Sequence, residues 1–406
     1  MIYLDYAATT PVDPEVAAAM IPWLGERWGN PSSLHAVGRE ARAALDHARD
    51  LIAAALHCDY GEVTFTSSGT EADNLAILGA MAAAKPDRPR LVVSAIEHPA
   101  VMECARRLER QGRPVTFVPV DPDGLVQPSA LAEALGPDVA LVSVMHANNE
   151  IGTVQDIARL AGAAREAGAL FHTDAVQTFG ALPIHVRGLG CDLLSVSAHK
   201  IHGPKGVGAL YVRASVPVAP VLCGGSQERE RRPGTENVPG IVGFGKAAEI
   251  ATRVRDSECV RLTMLRERLI GRILAGVADA RVNGSRTARL PGNVNVSVPG
   301  LDGAAILMNL DRAEIAASSG SACSSGSIEP SPVLRALGLP DDLAASAVRF
   351  TLGRGTTDED VDAAAAAYTD IVTRLRAQLS GEAGTVHQLL WRNPARYPPA
   401  SARRTR

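Results

Sequence analysis

Between Ser195 and Gly206 the chain reads Ser-Val-Ser-Ala-His-Lys-Ile-His-Gly-Pro-Lys-Gly. Apolar residues precede this run, and its glycines and proline stop any helix from continuing. It therefore holds Lys200 just past a strand end, with Ser197 and His199 beside it. A lysine amine forms a Schiff base with a carbonyl and attacks well when its surroundings lower its pKa. Of the 41 Lys and Arg residues only four are lysines, Lys85, Lys200, Lys205 and Lys246, and two of those lie in this run. Arginine fills almost every other cationic position, which singles out Lys200.

Four other polar stretches follow expected strands. Ser67-Ser68-Gly69-Thr70-Glu71 leads straight into a helix, where free backbone N–H groups and the helix dipole favour an anion such as phosphate. The plainer reading of that stretch is an ordinary N-cap. Ile96-Glu97-His98 follows the next strand, and a lone histidine is more often structural than functional. Met145-His146-Ala147-Asn148-Asn149-Glu150 offers paired amides, and Thr173-Asp174-Ala175-Val176-Gln177 offers a carboxylate and an amide. A carboxylate facing a ring nitrogen keeps it protonated and makes the ring an electron sink. Each signal is weak alone; together, at successive strand ends, they supply an amine, a ring partner and a phosphate cradle.

Cys323 sits in Ser318–Ser327, a run of serine, glycine and alanine with little to bury. A thiol there serves no packing purpose, whereas its thiolate would attack a substrate sulfur. Cys58, Cys104, Cys191, Cys223 and Cys259 read instead as buried fillers.

Strand and helix patterns alternate through the first part of the chain. Strands are predicted at 62–66, 91–95, 115–118, 139–145, 169–173, 192–196 and 208–212. Helices are predicted at 14–23, 33–56, 70–84, 100–110, 128–135 and 156–167. This rhythm gives an α/β fold with a large, mostly parallel seven-stranded sheet and helices on both faces. Ligands of such sheets sit at the strand ends. A long helix follows, from 241 to about 276. Short strands at 293–298, 314–317 and 347–352 with helices at 303–310, 332–337 and 358–379 predict a smaller α+β domain. The expected division is 13–255 for the large domain, 1–12 plus 256–380 for the small one, and 381–406 as a tail. That tail holds three prolines and five arginines against one glutamate, and reads as extended or disordered.

The 406 residues, 46% hydrophobic, are enough for a large core, and the net charge of −3 gives no nucleic-acid surface. No apolar stretch is long enough to cross a bilayer, and the N-terminus lacks a signal-peptide pattern. Six cysteines without a Cys-x-x-Cys pair predict reduced thiols and a cytoplasmic protein rather than a disulfide framework or zinc knuckle. His199 and His202, three apart in a Gly/Pro loop, are weak metal ligands, and no metal is expected. No Gly-x-Gly-x-x-Gly follows a strand, which disfavours a nicotinamide oxidoreductase.

Tyr3–Pro11, Gly29–His35, Thr66–Asn74, Asn148–Gly152, Ser197–Lys200, Arg232–Asn237, Ser318–Cys323 and Val348–Arg354 together resemble cysteine desulfurases of the NifS/IscS type. These belong to the class V aminotransferase family, PLP-dependent transferases of fold type I. The similarity is expected to run from about residue 2 to 380. It implies that Lys200 holds pyridoxal 5′-phosphate (PLP), that His98 stacks on its ring and that Asp174 partners its nitrogen. Gln177 matches the position that bonds the ring hydroxyl. Gly69, Thr70, Ser197 and His199 match phosphate-site positions, and Thr235 one that reaches the cofactor of a second subunit. The resemblance also implies that Asn149 and Arg354 hold the carboxylate of L-cysteine; Arg349, on the strand itself, is the less favoured choice. Cys323 then takes the sulfur as a persulfide, leaving L-alanine. A homodimer is implied, with an iron–sulfur scaffold or a tRNA-thiolation enzyme as sulfur acceptor. A selenocysteine lyase, an aminotransferase or a non-catalytic sulfur relay on the same scaffold are the alternatives.

Overall fold

Six of the seven strands of the main sheet are buried along most of their length, as a sheet covered on both faces requires. The computed structural model describes residues 1–319 and 330–381. Its strands are β1 (Ile2–Tyr3), β2 (Val63–Thr66), β3 (Arg90–Ser94), β4 (Val115–Val118), β5 (Val139–Ser143), β6 (Leu170–Asp174), β7 (Leu193–Ser197), β8 (Gly208–Val212), β9 (Arg281–Val282), β10 (Asn293–Ser297), β11 (Ile315–Ala316) and β12 (Val348–Thr351). Its α-helices are α1 (Pro14–Met20), α2 (Ala36–Leu56), α3 (Gly69–Ala83), α4 (Pro99–Arg110), α5 (Pro128–Ala134), α6 (Ile157–Glu166), α7 (Val186–Leu189), α8 (Val238–Gly276), α9 (Gly303–Arg312), α10 (Pro332–Ala336), α11 (Asp341–Ala345) and α12 (Asp358–Gly381).

The large sheet has the order β2-β8-β7-β6-β5-β3-β4. All neighbours are parallel except β8, which runs antiparallel to both β2 and β7. One apolar core lies between a face of this sheet and α2, α6 and the first part of α8. A second, around Leu75, Ile77, Val101 and Leu108, joins α3 and α4 to the other face. The smaller sheet, β12-β10-β9, is antiparallel and has its own core with the last part of α8 and α12.

Three details differ from the sequence expectation. The strand at 314–317 pairs in parallel with β1 in a separate two-stranded sheet rather than joining the antiparallel one. The helix expected from 33 begins at Ala36, since His35 turns its ring nitrogen back to the Gly38 N–H as the N-cap. The strands β6 and β7 end one residue later than expected, at Asp174 and Ser197, so both polar groups are fixed by sheet hydrogen bonding.

α8 begins at Val238 and buries side chains in both cores, Ile241 to Ala251 in the first and Leu265 to Ile273 in the second. It crosses α2 closely: a Cβ on Gly245 would stand 2.8 Å from Ala48 Cα. The loop before α8 is held by a buried ion pair. Arg49 meets both carboxylate oxygens of Glu228 at 2.7 Å, and the Phe65 N–H also donates to Glu228. Glu228, Arg229 and Glu230 all adopt left-handed backbone, with φ of 48°, 57° and 64°. Such backbone costs an L-residue roughly 1–2 kcal/mol, and the bidentate pair with its aromatic neighbours offsets that strain.

Candidate active site

The C-terminal ends of β6 and β7 bring the first groups together. Asp174 is the last residue of β6 and is 6% exposed. Its Oδ1 accepts the Val176 N–H at 2.9 Å. β7 ends at Ser197, and a single helical turn, 198–200, then carries Lys200 out of the sheet. The Lys200 ammonium donates to the carbonyls of Ala7 and Ala8 at 2.5 and 2.9 Å. The Gln177 amide donates to the same Ala7 carbonyl at 3.1 Å. The N-terminal segment thus crosses from β1 in the smaller part of the molecule to Lys200, and the Thr10 hydroxyl donates to the His199 carbonyl.

His98 caps α4: its Nδ1 accepts the Ala100 N–H at 3.1 Å. The cap sets the neutral ring's proton on Nε2. A ring nitrogen of His98 and one oxygen from each of Asp73 and Asp174 lie within 4.8 Å of one another. Burial, with a further push from the Lys200 charge, holds the His98 ring below its usual pKa, while Asp174 favours its protonated form. Burial raises Asp174, against the pull of His98, the Val176 N–H and Lys200.

The stretch read from sequence as an anion cradle lies at the start of α3. Ser68 is the N-cap of α3 and accepts the Glu71 N–H. A Cβ on Gly69 would sit 2.8 Å from Val176 Cγ2 and 3.4 Å from Ser197 Cβ, so only glycine leaves the space open. Ser197 Oγ is buried without a hydrogen-bond partner beside it. Thr70 is exposed at the first turn. His199 packs next to this, with Nδ1 3.2 Å from Thr9 Oγ1, and burial lowers its pKa to about 4.

Asn149 and Arg349 meet: Arg349 Nη1 donates to the Asn149 carbonyl at 3.0 Å, and Nη2 donates to Asp5 at 2.8 Å. Arg354 is held elsewhere, in an ion pair with Asp13 at 3.1 Å. It lines a cavity of about 130 Å³ that also reaches Lys200, Gln177 and Asn293. Thr235 is exposed in the loop before α8, clear of the Lys200 cluster's own hydrogen bonds. Cys323 and most of its loop lie outside the described residues. Of the other cysteines Cys104 and Cys191 are buried, but Cys223 is exposed and Cys58 and Cys259 are half-buried, which corrects their reading as uniform core fillers.

Three buried groups were not singled out from sequence: Asp73 on α3, His172 on β6 and Ser195 on β7. Their signal is present, since each is a polar residue inside a run otherwise destined for the core. Glu97 is a fourth. It accepts the Met145 N–H at 2.7 Å and is bonded to the Ser94 hydroxyl, which ties the His98 turn to the end of β5. Burial raises its pKa from 4.5 to about 8.

The sign of that shift yields a prediction. The folded state keeps the Glu97 proton over a range where the unfolded chain has lost it, so this contribution to stability is lost as pH rises from 4.5 through about 8. Glu97→Gln mimics the neutral acid. Its stability relative to the parent is expected to grow with pH across that window, as measured by denaturant unfolding at matched pH values. A difference that stays flat across the window would show Glu97 to be ionised in the fold.

The class V aminotransferase family model matches residues 2–364. The cysteine desulfurase IscS of Dictyoglomus turgidum is 48% identical over 375 residues, covering 92% of this chain and 95% of the relative. The IscS of Anaeromyxobacter dehalogenans is 47% identical over 401 residues, covering 97% and 99%. That alignment extends past residue 380, so the similarity is longer than the motifs alone suggested. Among solved structures, a NifS-like protein superposes with a TM-score of 0.87 at 35% identity, over 92% of this chain and 99% of that one.

Proposed function

We propose, from the premise that the chain belongs to the class V aminotransferase family and is a cysteine desulfurase, a division of labour among its residues. The observation that carries it is the clustering of Lys200 with Gln177 on one carbonyl, Ala7, and with Asp174 and His98 close enough to act on its charge, beside an open anion cradle. PLP fits this pocket. The Gly69 space and the unpartnered Ser197 hydroxyl suit its phosphate at the start of α3, with Thr70 and His199 alongside. His98 suits its ring face, Asp174 its nitrogen and Gln177 its hydroxyl. When bound, PLP supplies an aldehyde for an amine and a ring that accepts electron density from the carbon being activated.

The chain's own residues then have definable tasks. Lys200 Nζ would hold the group through its aldehyde and is placed to carry a proton to and from the substrate carbon. Asp174, ionised, would hold a positive charge at the ring nitrogen. The Cys323 thiolate attacks the sulfur of L-cysteine: an S–S bond forms, the substrate C–S bond breaks, and the carbon that held sulfur takes a proton. L-Alanine leaves, and Cys323 keeps the sulfur as a persulfide. Incubating the enzyme with L-cysteine should give alanine and, by mass spectrometry of the isolated peptide, one added sulfur on Cys323. Alanine formation with the added sulfur on another cysteine would sink this assignment.

Arg349 rather than Arg354 is proposed to hold the substrate carboxylate with Asn149. The two meet directly, and a guanidinium suits a carboxylate bidentately. Arg349→Lys is expected to raise KM for L-cysteine by about 10–100-fold, from the loss of one bidentate contact. Arg354→Lys is expected to leave it within about threefold, because the Arg354 guanidinium is engaged by Asp13 and not by Asn149. The reverse ranking in steady-state kinetics would restore Arg354 to the role.

Thr235, exposed in its loop, is proposed to serve the site of a second copy in a homodimer. The exposed apolar side chains Leu24, Trp28, Leu34 and Leu222 are suited to cover by that copy. The sulfur acceptor is proposed to be an iron–sulfur scaffold or a tRNA-thiolation enzyme, in a reducing cytoplasm that keeps Cys323 a thiol. Among the described residues no helix is long and apolar enough to cross a membrane.

A further inference from the structure

One buried carboxyl at the heart of the pocket has no task in the scheme above. Asp73, in the first turns of α3, is 2% exposed, and its Oδ1 has no hydrogen-bond partner. The helix sets it over the ends of β5, β6 and β7, where it faces a row of polar side chains crossing the sheet. Ser143 Oγ is 2.8 Å from His172 Nδ1, and His172 Nε2 is 3.0 Å from Ser195 Oγ. Asp73 Oδ1 stands 3.6 Å from the same His172 Nε2, with the Ser195 hydroxyl also bonded to its carboxyl.

The groups facing Asp73 come from four elements. They are Asp174 and His172 on β6, Ser195 on β7, Glu97 and His98 ahead of α4, and Cys104 on α4. None is a settled cation. Burial lowers the His172 pKa to about 3, so its ring is neutral, and Cys104 is pushed up to about 12. Asp73 and Asp174 are oxygens apart by no more than 4.8 Å in a dry site, and two carboxylates so placed do not both ionise.

The neighbours decide which of the two keeps the proton. Asp174 has the Val176 N–H and the nearby Lys200 amine to favour its anion. Asp73 has only a hydroxyl. We propose that Asp73 is a positioning residue, a neutral carboxylic acid behind Asp174 that holds the pair's single proton and so leaves Asp174 ionised for the cofactor nitrogen. The row of side chains accommodates that proton. A protonated Asp73 donates to Ser195, with Ser195 donating to His172 Nε2 and His172 Nδ1–H to Ser143, whereas an ionised Asp73 would accept from Ser195.

The assignment rests on the reading of Asp174 as the ring-nitrogen partner of PLP, and its test separates the two. Infrared spectra of the parent and each variant are compared, parent minus variant, in the PLP-loaded and in the PLP-free state. The carbonyl stretch of a protonated carboxyl, recognised by its shift in D2O, is expected to be lost in Asp73→Asn and kept in Asp174→Asn. The Glu97 band is common to all three proteins and cancels. Asparagine keeps the shape and a donor, so Asp73→Asn is expected to bind PLP within about threefold of the parent. A band lost in Asp174→Asn but kept in Asp73→Asn overturns the proposal, as does a spectrum of Asp73→Asn identical to the parent's. Should Asp73→Asn fail to fold, loss of the parent's band in Asp174→Asn is the overturning result and its survival the supporting one. A parent that takes up no PLP would sink the preceding reading, while the PLP-free spectra still decide this one.

Discussion

Lys200→Ala is expected to abolish desulfuration, with alanine formation from L-cysteine falling by about a thousandfold or more, and to lose the yellow colour of lysine-bound PLP. Two separate tasks rest on one amine, binding the aldehyde and ferrying a proton, so no neighbour can restore both. Lys205, five residues on, is exposed and makes a sharp control: Lys205→Ala should stay yellow and active. The fold explains the difference. Lys200 is aimed by a single helical turn at the end of β7 and steadied by the Ala7 and Ala8 carbonyls, whereas Lys205 lies in the loop beyond. Absorption spectra of the two variants with an alanine assay check the result. A colourless Lys205→Ala protein beside a yellow Lys200→Ala would overturn it.

The second large effect is expected at Cys323. Cys323→Ser should take up PLP with the parent's affinity and colour, yet transfer no sulfur, a loss of about a thousandfold or more in persulfide formation. A serine hydroxyl is a far weaker nucleophile towards sulfur than a thiolate. Among the other cysteines, Cys259 lines the cavity that also reaches Lys200, so Cys259→Ser is the control that separates the two thiols. Burial pushes Cys58, Cys104 and Cys191 up to about 12, which keeps them as thiols at neutral pH. Cys223 is exposed in a different loop, and Cys259 lies on α8. Full sulfur transfer by Cys323→Ser, measured with a thiol-reactive persulfide probe, would move the nucleophile elsewhere and favour an ordinary transaminase.

Much of this architecture can be read in the amino-acid order because the large sheet repeats one pattern. Each strand of apolar residues ends in a polar cluster, so Asp174, Ser197 and Lys200 were found where the apolar runs stop. The anion cradle could be read for the same reason, as small residues with Gly69 just ahead of a helix. Pairing across long distances left less trace. Nothing in Glu314–Ala317 announces that it pairs with β1 rather than with the antiparallel strands. The choice between Arg349 and Arg354 also turned on three dimensions. Arg349 sits on a strand and looks like a structural residue, yet the sheet carries it to Asn149, while Arg354 finds Asp13 in the N-terminal segment. Asp73 was hidden for a related reason: a carboxylate early in a helix is normal chemistry for the dipole. Only the strands packed beneath α3 make it unusual.

One consequence of α8 reaches beyond the site. The helix is unbroken from Val238 to Gly276, about 58 Å at 1.5 Å per residue, and its side chains belong to two separate interiors. A molecule joined in this way has no slack ligament about which its halves could swing freely. Loosening at one end is passed down a rigid rod to the other, so an injury near Leu269, far from any reacting atom, would be felt as poorer grip on the cofactor.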